Sequence, residues 1–372
     1  MSALFTPVRW SSLSLANRLV IAPMCTYSAV RGHATSWHVM HYGNLAQSGA
    51  GLLIVEATAV EARGRITHYD LGLWSDAHTE TLGQVLEHIR TYSPMPVCIQ
   101  LGHAGRKASS QRPWEGGGPL PADATNAWPT ISASALPFAA DDPVPRSASV
   151  QEIAAIKQAF VDAAMRARRM GIDAIELHAA HGYLLHQFLS PLSNQRTDDY
   201  GGSLDNRMRL TLEVFEAMRH ALPAGFPVGV RISATDWVEG GWDVEQSKVL
   251  ASALADRGCA FLHVSSGGLT PAQQIPIAPG YQVPLAQQLK AHLQDRMPVI
   301  AVGLITEAQQ AEAILQAGQA DAIGIARAML YNPRWPWEAA RQLGDHALAA
   351  PQYLRCEPHD AKGLLHTAIV PD

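Results

Sequence analysis

Cysteine is scarce in this chain of 372 residues: only Cys25, Cys98, Cys259 and Cys356 occur, and no two form a C-x-x-C pair. Zinc ribbons, thioredoxin-like motifs and cysteine-ligated iron–sulfur clusters therefore lack their ligand spacing, and nothing suggests structural disulfides. Charge is also thin, at 16% of residues, and 28 Lys plus Arg against 33 Asp plus Glu leave a net charge of −5. With no basic stripe to neutralise a phosphate backbone, nucleic acid is not an expected partner. No apolar run approaches the roughly 18 residues that would cross a bilayer, so no membrane partner is expected either. Residues 1–12 contain Arg9 and Trp10 but no apolar core before a small-residue cleavage site, which makes the cytoplasm the expected address. A G-x-G-x-x-G following a strand is missing too, so an integral Rossmann domain is not supported.

Apolar residues, at 47%, are plentiful enough for a large core. They gather in eight short runs: Leu19–Ala22, Leu52–Ala57, Val97–Leu101, Ala174–Leu177, Val228–Ile232, Phe261–Val264, Val299–Val302 and Ala322–Ile325. Near-continuous apolar strands suit a parallel sheet buried on both faces, and most intervals between them have helical periodicity. The clearest helix starts at a Ser149/Glu152 capping box, carries Ile153, Ile156, Phe160, Ala163, Ala164 and Ala167 on one face, and stops at Gly171. Eight strands alternating with helices predict an α/β fold, a (β/α)8 TIM barrel, with a doubly wound open sheet as the alternative. Length alone would suggest two domains at about 150 residues each, but such barrels exceed 250 residues as one unit, so residues 1–372 are read as a single domain. The Pro- and Gly-rich stretch 109–146 reads as an excursion after the third strand, over the barrel mouth or as a loop of no consequence. Residues 345–372 read as a tail.

In a barrel, reactive groups stand where strands run out at their C-terminal ends. Here those ends carry Pro23, Met24, Cys25, Thr26 and Tyr27; Glu56 and Ala57; Gln100, then His103, Arg106 and Lys107; His178, His181 and Tyr183; Arg231; Ser265 to Gly268; Gly303; and Ala326 with Arg327. Small residues and Arg327 at the last three ends fit a phosphate site, which suggests a mononucleotide cofactor or a phosphorylated substrate. His178 and His181 could be metal ligands, paired hydrogen-bond donors or a packed pair. Against metal, the nearby strand-end acids are only Glu56 and Glu176. Tyr183 is a candidate proton donor. A barrel hydrolase remains the competing class, working through a metal on the histidines or through Glu56 and Glu176 as a glycosidase pair.

Leu4-Phe5-Thr6-Pro7, Asn17-Arg18, Pro23-Met24-Cys25-Thr26-Tyr27, Val55-Glu56-Ala57, Gly64-Arg65-Ile66-Thr67, the run from Gln100 to Lys107 and above all the run from Ile175 to Arg207 resemble the Old Yellow Enzyme family of FMN-dependent ene-reductases. Arg112-Pro113-Trp114-Glu115-Gly116 resembles its bacterial xenobiotic-reductase branch. The resemblance implies an FMN-binding barrel, reduced by NADPH or NADH and reoxidised by an α,β-unsaturated carbonyl compound in a ping-pong cycle. A non-catalytic flavin-storage protein is the other reading it allows, whereas scattered cysteines and a short tail argue against an iron–sulfur dienoyl-CoA reductase.

Carried over by position, Ala22, Pro23, Met24, Cys25 and Ala57 would border the flavin ring, with His178 also counted among the cofactor-binding residues. Gln100 would bond the ring's pyrimidine edge, and Arg231 would set charge near N1. Gly303, Ala326 and Arg327 would hold the phosphate, with Ala326 standing where the family usually has glycine. His178, His181 and Tyr27 would bind the substrate carbonyl oxygen while hydride passes from flavin N5 to the β-carbon, and Tyr183 would protonate the α-carbon. Cys25 would tune the redox potential. No metal is implied. Gln352-Tyr353-Leu354-Arg355 resembles a segment through which some members place an arginine in a neighbouring subunit's site, so Arg355 is a candidate substrate-binding residue in a homodimer or homotetramer.

Overall fold

The computed structural model describes residues 2–367; Met1 and residues 368–372, the last of the expected tail, lie outside the described residues. Eight strands close into a parallel barrel: β1 (Leu19–Ile21), β2 (Leu52–Ala59), β3 (Val97–Gly102), β4 (Ala174–Ala179), β5 (Val228–Ser233), β6 (Leu262–Ser265), β7 (Val299–Ala301) and β8 (Ala322–Ile325). Each pairs with its successor, and Ile323, Gly324 and Ile325 of β8 return to Leu19, Val20 and Ile21 of β1, which rules out the open doubly wound sheet. All eight expected runs became barrel strands, with bounds that differ by no more than two residues at either end.

A flanking helix follows each strand: α1 (Ser36–Ala46), α2 (Asp76–Tyr92), α3 (Val150–Arg169), α4 (Leu204–Ala221), α5 (Val244–Asp256), α6 (Val283–Leu293), α7 (Ala308–Gln316) and α8 (Trp335–Leu343), with short additional helices at Leu184–Leu189 before α4 and Arg327–Tyr331 before α8. In α3 the capping box forms as expected. The Glu152 amide donates to Ser149 Oγ at 3.2 Å, the Ser149 amide donates to the Glu152 carboxylate at 3.0 Å, and the six predicted core residues are the six buried ones.

Alternation along the strands positions the site. Side chains on a strand face opposite sides in turn, so one set faces the helices and the other fills the barrel. Low in the barrel the inward set is apolar: Cys98, Ala174 and Phe261 pack with Val20, Leu52, Ile54, Ile300 and Ala322. A hairpin, Val8–Trp10 with Leu13–Leu15, plugs that end, burying Trp10 with its ring centroid 5.7 Å from that of Phe261. Two residues further along the same strands the inward set turns polar, as Gln100, Glu176, Arg231 and His263. Another two residues bring His178, Ser233 and Ser265 to the mouth, all buried.

Residues 109–146 carry little regular structure beyond a two-residue strand, Ile131–Ser132, pairing with Arg146–Ser147. Their tip returns to the mouth: the Trp114 ring lies edge-on to Tyr27 at 5.9 Å, and the Arg112 guanidinium covers the Tyr69 ring at 3.9 Å. The excursion thus contacts Tyr27 and Tyr69 through Trp114 and Arg112. In the tail, Ala347–Ala349 pairs with Leu365–Thr367, and Tyr353 packs on Trp337 of α8.

Candidate active site

The loop leaving β1 places Ala22 against the barrel and leaves Pro23, Met24, Cys25, Thr26 and Tyr27 partly exposed at the mouth. Tyr27 has φ of 50°, a left-handed conformation rarely adopted by a residue with a side chain; His181 (57°) and Trp237 (57°) share it. Such strain persists only where the surroundings over-determine the backbone, and it gathers at functional sites. At His181 the restraint is visible. Its amide donates to Ser233 Oγ at 2.9 Å, and the half-buried Lys107 ammonium donates to its carbonyl at 2.9 Å and to that of Gly268 at 3.0 Å. Gly182 and Gly268 meet there backbone to backbone, because a Cβ on Gly182 would come within 2.1 Å of the Gly268 carbonyl oxygen.

The two histidines converge, with His178 Nε2 lying 3.4 Å from His181 Nδ1. The Ala180 amide donates to His178 Nδ1 at 3.2 Å, so Nδ1 is an acceptor and the His178 proton stands on Nε2, facing the mouth. His181 Nε2 lies 2.8 Å from Ser265 Oγ. Burial, then the Arg231 charge, hold both imidazoles well below the usual histidine range, so both stay neutral near pH 7. Tyr183 stands edge-on to His178 at 5.0 Å, with burial pushing its phenol well above the usual range, so it keeps its proton until a stronger base arrives.

Deeper in the barrel, Gln100 Nε2 donates to Glu176 Oε1 at 2.7 Å, and Glu176 Oε2 lies 2.8 Å from His263 Nδ1. Gln100 thus has a protein partner that sequence reading did not anticipate, and the bond leaves its carbonyl oxygen available to accept. Arg231 is different. It is 7% exposed, no hydrogen bond from its guanidinium is found among the described residues, and Nε is buried without a partner. A buried guanidinium in that state calls for an acceptor from outside the chain, since unsatisfied buried donors are costly. This observation fits a flavin, whose reduced N1–O2 edge is anionic and would lie against Arg231 while its N3–H could meet Gln100.

Arg231 also lines a cavity with Ser265, Tyr281, Gln282, Gly303, Ala326 and Arg327. Gly303 has φ of 121°, and a Cβ there would come within 2.5 Å of Gln282 Nε2, so both backbone and space require glycine. Ala326, in the family's glycine position, has φ of −107° and ψ of −95°, outside both the β and the right-handed α regions, so the backbone there is one that glycine would adopt more readily than alanine.

The structure therefore brings Arg231, Gly303, Ala326 and Arg327 to one cavity and Ala57, His178 and Tyr183 to another beside it, with the Cys25–Tyr27 loop at the rim. Arg355 is not brought to its own chain's mouth; it stands exposed on the turn Pro351–Cys356, which packs against the tail strand and α8. Sequence reading missed Gln282, to which Ser265 and Ser266 donate at 3.2 and 2.7 Å, because it sits in a loop away from any strand end. Both glycosidase candidates are spoken for. Glu176 is bound as described, and Glu56 receives three hydrogen bonds from Thr26 and Tyr42. No group of three or more potential metal ligands converges among the described residues.

A sequence model of the NADH:flavin oxidoreductase / NADH oxidase family matches residues 3–346. An NADH:flavin oxidoreductase of Gibberella zeae is 44% identical over 91% of this chain and 86% of its own length. An NADPH dehydrogenase of Geobacillus thermodenitrificans is 41% identical over 95% and 98%. Among solved structures, morphinone reductase in complex with tetrahydroNAD superposes with a TM-score of 0.74 at 29% identity, covering 93% of this chain and 92% of its own. The barrel, the unpartnered Arg231 and these likenesses agree: the chain belongs to the NADH:flavin oxidoreductase / NADH oxidase family, the Old Yellow Enzymes, and is an FMN-dependent oxidoreductase that takes its electrons from NADPH or NADH.

Proposed function

We propose that the protein is an ene-reductase, which reduces the C=C bond of α,β-unsaturated carbonyl compounds. The observation that carries this reading is the convergence of His178 Nε2 and His181 Nδ1, 3.4 Å apart and neutral, beside the protonated Tyr183. FMN, when bound and reduced, supplies the hydride for the β-carbon. The protein's own groups handle the charge and the proton. A carbonyl oxygen seated against both histidine nitrogens receives the Nε2 proton of His178. It receives a second from His181 once that ring takes its Nδ1–H form, the Ser265 hydroxyl proton then turning from Gln282 to His181 Nε2. Tyr27, on the loop leaving β1, serves as a third donor in this reading. Negative charge grows on that oxygen as hydride arrives, and preplaced donors at such a position are worth about 3 to 4 kcal/mol each. Tyr183 then protonates the α-carbon. At the flavin, Ala22, Pro23, Met24, Cys25 and Ala57 border the ring with Gln100 and Arg231, while Gly303, Ala326 and Arg327 hold the phosphate. The reading includes a single domain, a cytoplasmic address and a homodimer or homotetramer in which Arg355 enters a neighbour's mouth.

The deciding experiment is a visible spectrum of the purified protein, repeated after anaerobic NADPH or NADH and then after 2-cyclohexen-1-one. Bands near about 370 and 450 nm should bleach with the nucleotide and return with the enone. A flavin that bleaches but is not reoxidised by any enone would reduce the reading to a flavin oxidoreductase of other substrate.

A further inference from the structure

Glu56 is fully buried at a register irregularity in β2 between Val55 and Thr58, and it is absent from the chemistry above. Its carboxylate instead holds the rim loop. Oε2 accepts from the Thr26 amide at 3.0 Å, Oε1 accepts from Thr26 Oγ1 at 2.8 Å, and Oε1 accepts again from Tyr42 Oη of α1 at 2.9 Å. Thr26 is the residue between Cys25, at the flavin position, and Tyr27, the strained donor. A buried carboxylate that grips both the backbone and the side chain of that residue sets where its two neighbours stand.

We infer that Glu56 is a positioning residue: its ionised carboxylate holds Cys25 and Tyr27 in place across the mouth, and its protonation loosens them. The chemistry of the donors gives the reason. Thr26 N–H can only donate, and the three bonds that reach the carboxylate are charge-assisted, so a proton arriving on Glu56 removes the charge that strengthens them and weakens the grip on Thr26. The groups facing Glu56 make it the switching member. His38 of α1 lies with Nε2 at 3.7 Å; its Nδ1 accepts the Thr35 amide at 2.9 Å, and burial presses it down to about 4, so it stays neutral. Tyr42, Cys25 and Tyr27 are all pushed upward by burial and keep their protons. No Lys or Arg pairs with Glu56 among the described residues, and burial raises it to about 7. Asp70, from the loop after β2, is the other group that titrates nearby, raised by burial to about 6.

Sign follows from these directions: the ionised, gripping form prevails above about pH 7 and is lost as pH falls through that value. The test compares wild type with Glu56→Gln, each loaded with FMN, through KM and kcat for 2-cyclohexen-1-one from pH 6 to 8.5. For wild type, KM should rise about fivefold towards pH 6 with a smaller change in kcat. Glu56→Gln should show a raised, pH-independent KM. Tyr42→Phe removes the hydroxyl's bonds to the Glu56 carboxylate and backbone amide and none to Asp70, and loss of the carboxylate bond should move the KM midpoint upward if Glu56 is responsible. Amide exchange of residues 22–28 at pH 8 should be about tenfold faster in Glu56→Gln, a readout that does not need enone turnover. The KM readout rests on the ene-reductase reading; if wild type reduces no enone, that reading fails while amide exchange still decides the role of Glu56. Should Glu56→Gln not fold, Thr26→Val, which leaves the carboxylate in place, should raise KM about threefold and speed exchange in the same segment. Wild-type KM profiles in Glu56→Gln and Tyr42→Phe, or unchanged exchange in the variant that folds, would overturn the inference.

Discussion

Arg231 and Tyr183 show how single residues carry this site. Arg231 is a permanent charge with no hydrogen-bond partner among the described residues, and Tyr183 is an acid made weak by burial. A weak acid protonates only a strong base, so under the proposed ene-reductase function Tyr183 would act after charge has built up on the substrate and not before. Tyr183→Phe is therefore expected to slow reoxidation of reduced enzyme by 2-cyclohexen-1-one by about a hundredfold, within the range typical of losing a positioned acid. Flavin reduction by NADPH should be nearly unchanged, and stopped-flow records of the two half-reactions check this directly. Under the same proposal, His178→Ala removes a neutral donor from the oxygen site. Loss of one such donor predicts a fall of about 100- to 1000-fold in the enone half-reaction. It should also weaken binding of phenols, whose oxygen mimics the enolate, as read from the shift of the flavin spectrum. His178 does not titrate near neutrality, so the wild-type contribution of this donor should be flat from pH 6 to 8.

At the scale of elements, alternation along the barrel strands matters more than any one strand's composition. Cys98 and Gln100, Ala174 with Glu176 and His178, and Phe261 with His263 and Ser265 are spaced by two, so an apolar floor and a polar mouth follow from a single pleat. The excursion 109–146 obeys no such period, and only tertiary contact gives it a role. Trp114 is 64% exposed yet stands edge-on to Tyr27, and it occupies the rim without belonging to the floor. Trp114→Ala should accordingly change KM for bulky enones several-fold while FMN content and Tm stay close to wild type, as an exposed substitution away from the core costs little stability. An unchanged KM across cyclic and open-chain enones would remove the excursion from substrate selection.

The whole molecule depends on closure at both ends of the barrel. Below, the Trp10 hairpin seals the apolar interior, and Trp10→Ala is expected to cost about 3 to 5 kcal/mol, the range for deleting a buried large aromatic, with a lowered Tm and the enone KM of the folded enzyme retained. Above, the mouth of one chain lacks any contribution from Arg355, which is exposed on the tail's turn. If the oligomer completes the mouth, Arg355→Ala should raise enone KM without loss of flavin, and sedimentation should find a dimer or tetramer. An unchanged KM would leave Arg355 a surface residue.

The sequence by itself determined the barrel and the chemistry of its strand ends. Eight β-rich runs of similar length, most of them followed by a helical repeat, admit few architectures, and period two decides which side chains face inward. His178, His181, Tyr183, Gln100 and Arg231 were legible for that reason: a strand's end is a local property. Tertiary structure alone decided who partners whom. That Gln100 is held by Glu176, itself held by His263, that Arg231 finds no hydrogen-bond partner among the described residues, that Thr26 hangs from Glu56 and that Trp114 reaches Tyr27 depend on contacts between residues as much as 87 positions apart. No local pattern encodes such pairs, because the energy that selects them appears only when closure of the barrel buries both partners and leaves each polar group to find its acceptor or go without.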